Sequence, residues 1–232
     1  MLWLLLAIPG LVLGIWAQLR VRSAFSKYSR VPNSRGLTGA QAARMMLDYH
    51  NLPDVTVEES SGFLTDHYDP RHRTLRLSPD VWRSNSIAAV SVAAHETGHA
   101  LQHAQHYAPL GLRTAIVPAV QFGSRLGPLL FFVGFMMQAF ARNLGDLGFY
   151  IALVGLILFG ITALFTIITL PVEFDASNRA KRELVAMNIL GQSEMVGVNK
   201  MLNAAALTYV AAAVAAIGQF LYYAFILFGR RR

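Results

Sequence analysis

Ala94-His95-Glu96-Thr97-Gly98-His99-Ala100-Leu101-Gln102-His103 is the stretch on which the reading of this chain turns. His95 and His99 are four residues apart, so a helix would set both imidazoles on one face within reach of a single ion. Glu96, next to the first histidine, would then reach a water on that ion, which is the chemistry of hydrolysis. In 232 residues with 7 His, this pentad is expected by chance on the order of 0.005 times. Upstream, Ser86 is a candidate helix cap. Ile87-Ala88-Ala89-Val90-Ser91-Val92-Ala93-Ala94 then forms a small, apolar approach suited to burial, which would hold the histidines rigidly.

Working outward, 54% of the chain is hydrophobic and the excess is gathered in blocks rather than spread evenly. Residues 2–19, about 114–140, 147–170 and 204–228 are each long enough to cross a bilayer, although Pro9, Gly10 and Gly14 are possible kinks in the first. Basic residues follow the first block instead of preceding it, so it reads as a retained anchor and not as a cleaved signal. Arg20, Arg22, Lys27, Arg30 and Arg35, with no acid among residues 20–35, mark the following region as cytoplasmic and the amino terminus as facing out. The net charge of +7 is thus explained by topology, and no basic helix or aromatic-basic strand accompanies it that would suit nucleic acid. There is no cysteine, hence no disulfide framework and no thiolate chemistry. If the fourth block crosses, Arg230-Arg231-Arg232 ends on the outer face, against the positive-inside pattern; a full crossing and a re-entrant path both stay open, with four spans expected.

Residues 20–112 are the one sizeable polar segment. Thr38-Gly39-Ala40-Gln41 has the form of a capping box, and Ala42, Ala43, Met46, Leu47 and Tyr49 give the ensuing helix an apolar face up to His50-Asn51-Leu52-Pro53. Strands are expected over 55–59, 62–66 and 73–78, the last after an Asp69-Pro70 turn. The hairpin of 63–77 either offers an edge to which an extended peptide adds a strand or merely supports the metal helix.

A catalytic zinc takes three protein ligands and keeps one open position, so the pentad needs a partner. His103 is about 12 Å along the helix from His95, too far for both to share an ion. His106 would need the helix to break, and Gln102 and Gln105 stand where the metzincin pattern has its glycine and its ligand. His103 is therefore read as lining the pocket and His106 as a surface residue. Glu173 is the better candidate: Pro171 is expected to open a helix where the third apolar block ends, with Glu173 in its first turn. Two crossings separate it from His99, which returns the chain to the same face. An acid serving only the helix amino terminus is the competing reading. Asp175 is a supporting residue behind the ligands or a solvated charge.

Four segments together carry a resemblance: Leu64-Thr65-Asp66-His67-Tyr68-Asp69-Pro70, Ala93-Ala94-His95-Glu96-Thr97-Gly98-His99-Ala100, Leu170-Pro171-Val172-Glu173-Phe174-Asp175-Ala176-Ser177 and Ala206-Leu207-Thr208-Tyr209-Val210-Ala211-Ala212-Ala213. Over essentially the whole chain they resemble the bacterial YugP-type family of inferred membrane zinc metallopeptidases. More distantly the chain resembles the HtpX and CAAX-prenyl-protease gluzincins, whose third ligand is the Glu of a Glu-(Tyr/Phe)-x-Ala-Asp pattern. Glu173, Phe174 and Ala176 match that pattern, whereas Ser177 stands where the Asp would be.

The expected architecture is an α-helical membrane protein with about four transmembrane helices and a small α+β, zincin-like cytoplasmic region. Its parts are an anchor (1–19), the cytoplasmic region with the metal helix (20–112), a transmembrane hairpin (113–170), a cytoplasmic helix bearing the third ligand (171–203), and a last membrane helix with a basic tail (204–232). The expected activity is zinc-dependent endoproteolysis of protein segments at the cytoplasmic surface of a bacterial cell (inner) membrane. One zinc per chain is held by His95, His99 and Glu173, with Glu96 as general base. His103, Asn178, Arg179 and Tyr209 are inseparable candidates for the oxyanion donor; Tyr209 lies in a small-residue run (204–216) that suits close helix packing equally well. The implied partners are protein or peptide substrates and the bilayer, and no motif specifies an oligomer. Two alternatives are weighed. A site-2-type intramembrane protease would use Asp175 as ligand, but polar Trp82-Arg83-Ser84-Asn85 and Gln102-His103 flank a stretch too short to span. A non-catalytic metal-binding membrane protein would have no need of Glu96, and of the charges a transporter would favour only Arg125 lies in an apolar block, where it equally marks a break before a span near Leu126.

Overall fold

A computed structural model describes residues 2–62, 65–140 and 144–229. Phe63 and Leu64, part of the expected second strand and hairpin, and the tail Arg230-Arg231-Arg232 lie outside the described residues. The fold is mostly helical with one small sheet. Among the described residues four helices are long and apolar enough to cross a membrane: α1 (Leu2–Tyr28), α5 (Ala108–Phe140), α6 (Gly145–Ala186) and α7 (Met195–Gly229). Three shorter helices, α2 (Gly39–Tyr49), α3 (Pro79–Trp82) and α4 (Ile87–Ala104), and strands β1 (Thr56–Glu59), β2 (His67–Asp69) and β3 (Thr74–Leu77) are the other elements among the described residues.

The long helices outrun their apolar blocks. At 42 residues, α6 is about 63 Å long, roughly twice a hydrocarbon core, so much of it serves polar surroundings. Two expected breaks are absent: α6 runs through Pro171, and α5 runs past Arg125 as well as through Pro118 and Pro128. A proline within a helix removes one amide donor, here the one that would serve the Ile167 carbonyl, and long apolar helices tolerate that loss when the rest of the ladder is intact. Glu173 therefore stands in mid-helix and not in a first turn.

The chain divides into two compact units. One comprises Met1–Ile15, Leu112–Leu170 and Tyr209–Arg232. In it α5 and α6 meet through small residues: a Cβ on Gly134 would come 2.5 Å from the Gly148 carbonyl. Phe131, Phe149, Leu156 and Leu227 are buried together, with Phe131 stacked on Tyr223 at 4.3 Å between centroids. Leu5, Leu11, Phe122 and Phe132 remain exposed, the outward apolar surface expected of helices that face lipid.

The other unit comprises Trp16–Gly111 and Pro171–Thr208. Thr38 and Gln41 form the reciprocal capping box at the start of α2. Ala42, Ala43, Met46 and Leu47 are buried, but Tyr49 is exposed; seven residues after Ala42, it lies about 90° from the middle of the apolar stripe. The sheet order is β1-β3-β2, with β1 parallel and β2 antiparallel to β3. The second strand begins at His67 and not at the expected 62–66. Asp69 accounts for the register, since its carboxylate accepts from Arg71 N and pairs with His72, closing the turn so that Asp69 faces Thr74. Asp66, just before the strand, instead binds the Ser78 amide and hydroxyl.

Helix α4 is capped by Ser86, whose hydroxyl accepts from Ala89 N, and is buried on both sides. Ala88, Val90 and Ala94 pack with Met46, Leu184 and Val198, while Ala89, Ala93 and Ala100 pack with Leu47, Leu75 and Val81. Small residues all round let its neighbours approach closely, which fixes the helix that carries the pentad.

Candidate metal centre

His95 and His99 project from one face of α4, their ring centroids 4.9 Å apart and their planes near perpendicular. Glu173 reaches the same point from α6: its Oε2 lies 3.2 Å from His95 Nε2 and 3.6 Å from His99 Nε2. Ligand atoms of the three residues all lie within 4.8 Å of one another, and Glu173 is 2% exposed. The approach depends on Gly98, where a Cβ would meet the Ala176 carbonyl at 2.5 Å. A glycine between the histidines thus lets α4 and the polar part of α6 touch one turn from Glu173.

Each histidine is held from behind. Gln102 is fully buried and donates its two amide hydrogens to the Val172 carbonyl and to Asp175. Its oxygen is left to accept from His99 Nδ1, 3.0 Å away, which turns Nε2 towards Glu173. The Ser177 hydroxyl lies 3.2 Å from His95 Nδ1 and takes the place at which the gluzincin pattern has an aspartate. Burial alone would lower the His99 pKa, but its hydrogen bond to Glu173 and the charges of Glu96 and Glu173 raise it on balance. Two imidazole nitrogens and one carboxylate, with His99 and Glu173 buried and His95 half-buried, fit a catalytic zinc, which leaves a position open.

Glu96 is half-buried and pairs with neither histidine; its Oε2 accepts from the Tyr68 main-chain N–H of β2 at 3.1 Å. Tyr68 faces Leu75 without sharing its amide with β3, so that amide points off the sheet edge towards α4. The Tyr68 hydroxyl meets His103 Nδ1 at 2.9 Å, tying the strand to α4 a second time. Burial pushes the Tyr68 phenol up to about 12 and lowers His103.

The remaining sequence candidates fall at different distances from the triad. Asp175 supports Gln102 and accepts from Arg179 Nε at 2.5 Å, while Arg179 also binds Gln105 and lies over Tyr107. Asp175 is thus engaged behind the histidines and is not among the three clustered ligand residues. Asn178 and His106 are exposed, and Tyr209 belongs to the other unit. Gln102, Ser177, Gly98 and Tyr68 had no assigned role in the sequence reading. Only Gln102 carried a local signal, three residues after His99 on the same helix face.

Two histidines of the pentad helix and a glutamate of α6 meeting at one point, in a chain with four helices long and apolar enough to cross a membrane among the described residues, have the make-up of a metal-dependent hydrolase. The chain belongs to the family described as "Putative neutral zinc metallopeptidase", which it matches over residues 3–228. It is 48% identical over 231 residues to "Putative membrane protease YugP" of Bacillus subtilis (strain 168), covering 100% of this chain and 99% of that one. No solved structure matches it.

Proposed function

We propose that the protein is a membrane-embedded zinc endopeptidase of the gluzincin type, cleaving protein segments near the cytoplasmic membrane surface. The observation that carries this reading is the meeting of His95, His99 and Glu173 next to Glu96, whose carboxylate pairs with neither histidine and accepts from the Tyr68 amide. His95, His99 and Glu173 would hold one zinc, which when bound acidifies a water and polarises the scissile carbonyl. Glu96 takes the proton of the attacking water and passes it to the leaving amine. Its present partner, the Tyr68 amide, keeps the carboxylate facing the sheet edge until a substrate enters. The same edge of β2 presents main-chain groups to an extended peptide, which binds without a required side-chain sequence. Residues 20–112 and 171–203 form the cytoplasmic parts and the apolar segments the membrane parts, in line with the basic residues after the first span.

The test is metal content and cleavage of an unfolded membrane-protein substrate by detergent-purified protein. Wild type should carry one zinc per chain; Glu173→Ala should lose it, and Glu96→Gln should keep it while losing cleavage. Proteolysis by Glu96→Gln would remove the base assignment, and full zinc in Glu173→Ala would remove the third ligand. Stoichiometric zinc without cleavage of any substrate would favour a non-catalytic metal-binding protein.

A further inference from the structure

Between α1 and α7, within the polar unit, lies a cleft of about 630 Å³. α1 contributes Trp16, Leu19, Arg20 and Lys27 to its walls, and α7 contributes Lys200 and Asn203. No carboxylate lines it. Among the described residues Arg20, Lys27 and Lys200 have no carboxylate within ion-pair distance. Five other cations of the same unit are matched, Arg44 with Asp48, Arg73 with Asp54, Arg76 with Glu58, Arg83 with Glu59 and Arg179 with Asp175, and the rest, such as Arg22, Arg71 and Arg182, do not line the cleft. Three unmatched cations around one cleft constitute a site for an anion.

The remaining walls say which kind. Trp16 and Leu19 are 43% and 60% exposed, so the anion's binding site continues into apolar surface. The Arg20 guanidinium lies 4.6 Å over the Trp16 ring, which fixes the charge against that surface. At the other end Tyr28 closes the cleft, since a Cβ on Gly197 would stand 2.8 Å from its ring. Trp16 and Leu19 are the last aromatic and the last aliphatic residue of the apolar block 2–19, and Arg20 is the first charge after it, so the apolar wall is the end of that block. A tryptophan backed by lysine and arginine at the cytoplasmic end of a span is the pattern that meets acidic headgroups. A soluble phosphate would use the cations and leave the apolar wall without purpose.

We propose that this cleft binds the phosphate headgroup of an anionic membrane phospholipid, with its glycerol and upper acyl chain along Trp16 and Leu19. Lys200 and Asn203 hold the phosphate, flanked by Arg20 at the Trp16 end of the cleft and Lys27 at the Tyr28 end. Asn203 already accepts from Lys181 of α6 at 2.8 Å, so the bound lipid lies against a residue tied to the helix that bears Glu173.

The test is lipid retention by the full-length, detergent-purified protein in native mass spectrometry. Phosphatidylglycerol and phosphatidylcholine with the same acyl chains are the probes, with glycerol phosphate as a soluble competitor. Phosphatidylglycerol should be retained and phosphatidylcholine should not. Arg20→Gln with Lys200→Gln should weaken retention about 30-fold, roughly five-fold per charge. Lys200→Arg, which keeps the charge, should retain the lipid, and Arg71→Gln with Arg83→Gln should behave as wild type. Zinc content unchanged across the set reads out an intact fold independently of any protease activity. Equal retention of both lipids, or an unaffected double variant, would overturn the proposal. Competition by glycerol phosphate at the concentration at which the lipid binds would reassign the cleft to a soluble phosphate and overturn it as well.

Discussion

A Cβ placed on Gly98 would stand 2.5 Å from the carbonyl oxygen of Ala176, and both atoms belong to helix backbones that cannot yield locally. Gly98→Ala should therefore part α4 from α6, cost about 1–3 kcal/mol of stability by overpacking, and draw Glu173 away from the histidines. Thermal unfolding together with zinc content after dialysis checks this. A variant that melts like wild type and keeps its metal would show that the close approach is not needed.

Ser177 and Gln102 touch the nitrogens of His95 and His99 that face away from Glu173. Ser177→Ala and Gln102→Leu should each reduce zinc affinity about 10- to 100-fold, the usual consequence of losing a partner behind a ligand. Gln102→Leu should be the worse of the two, because it also strips partners from the Val172 carbonyl and Asp175. Ser177→Asp should tighten zinc by making His95 the stronger base. Competition with a chelator of known affinity measures all three, and equal affinities would dismiss the supporting roles.

Tyr68 and His103 link β2 to the end of α4. Tyr68→Phe and His103→Ala should couple by about 0.5–1.5 kcal/mol in a double-mutant cycle of thermal stability, the worth of one hydrogen bond. Additive effects would mean that the strand is held by Glu96 and packing alone.

Asp69 is held down to about 2, chiefly by its hydrogen bond to His72 and by the Arg71 amide. Its folded pKa lies below the unfolded value of about 4, so the carboxylate contributes stability that is present above pH of about 4 and lost as pH falls towards 2. The stability difference between wild type and Asp69→Asn should accordingly shrink to nothing over that window. A difference undiminished at the acid end would place the effect of the substitution elsewhere than in ionisation.

What was legible in the sequence was local or periodic. The Ser86 cap, the Thr38 and Gln41 box and the apolar spans each depend on neighbours within one or two turns. Glu173 stood out because two apolar blocks between it and His99 are compatible with a return to the same face, and its carboxylate lies 3.2 Å and 3.6 Å from the two histidines. The rule that proline opens a helix failed at Pro171, where a long apolar helix absorbs the missing donor. Register failed at 62–66 because Asp69 sets it through side-chain contacts with Arg71 and His72. Ser177 was marked only as a departure from the gluzincin pattern and Gly98 not at all, because each gains its role only when α4 and α6 lie side by side, and those helices are separated in sequence by the whole of α5. Inside the pentad, the position written as x turns out to be the one that admits the third ligand's helix.

The uninterrupted course of α6 bears on how the protein is made. A ribosome delivers His95, Glu96 and His99 first, and Glu173 only after α5 and the apolar length of α6 have emerged. Because Glu173 follows that apolar length within the same helix, it is the last of the three clustered residues to be made. Until then, a chain still being made carries the two histidines and Glu96 but not Glu173. The cluster of His95, His99 and Glu173 is thus closed late in synthesis, by a residue that follows almost the whole apolar length of α6.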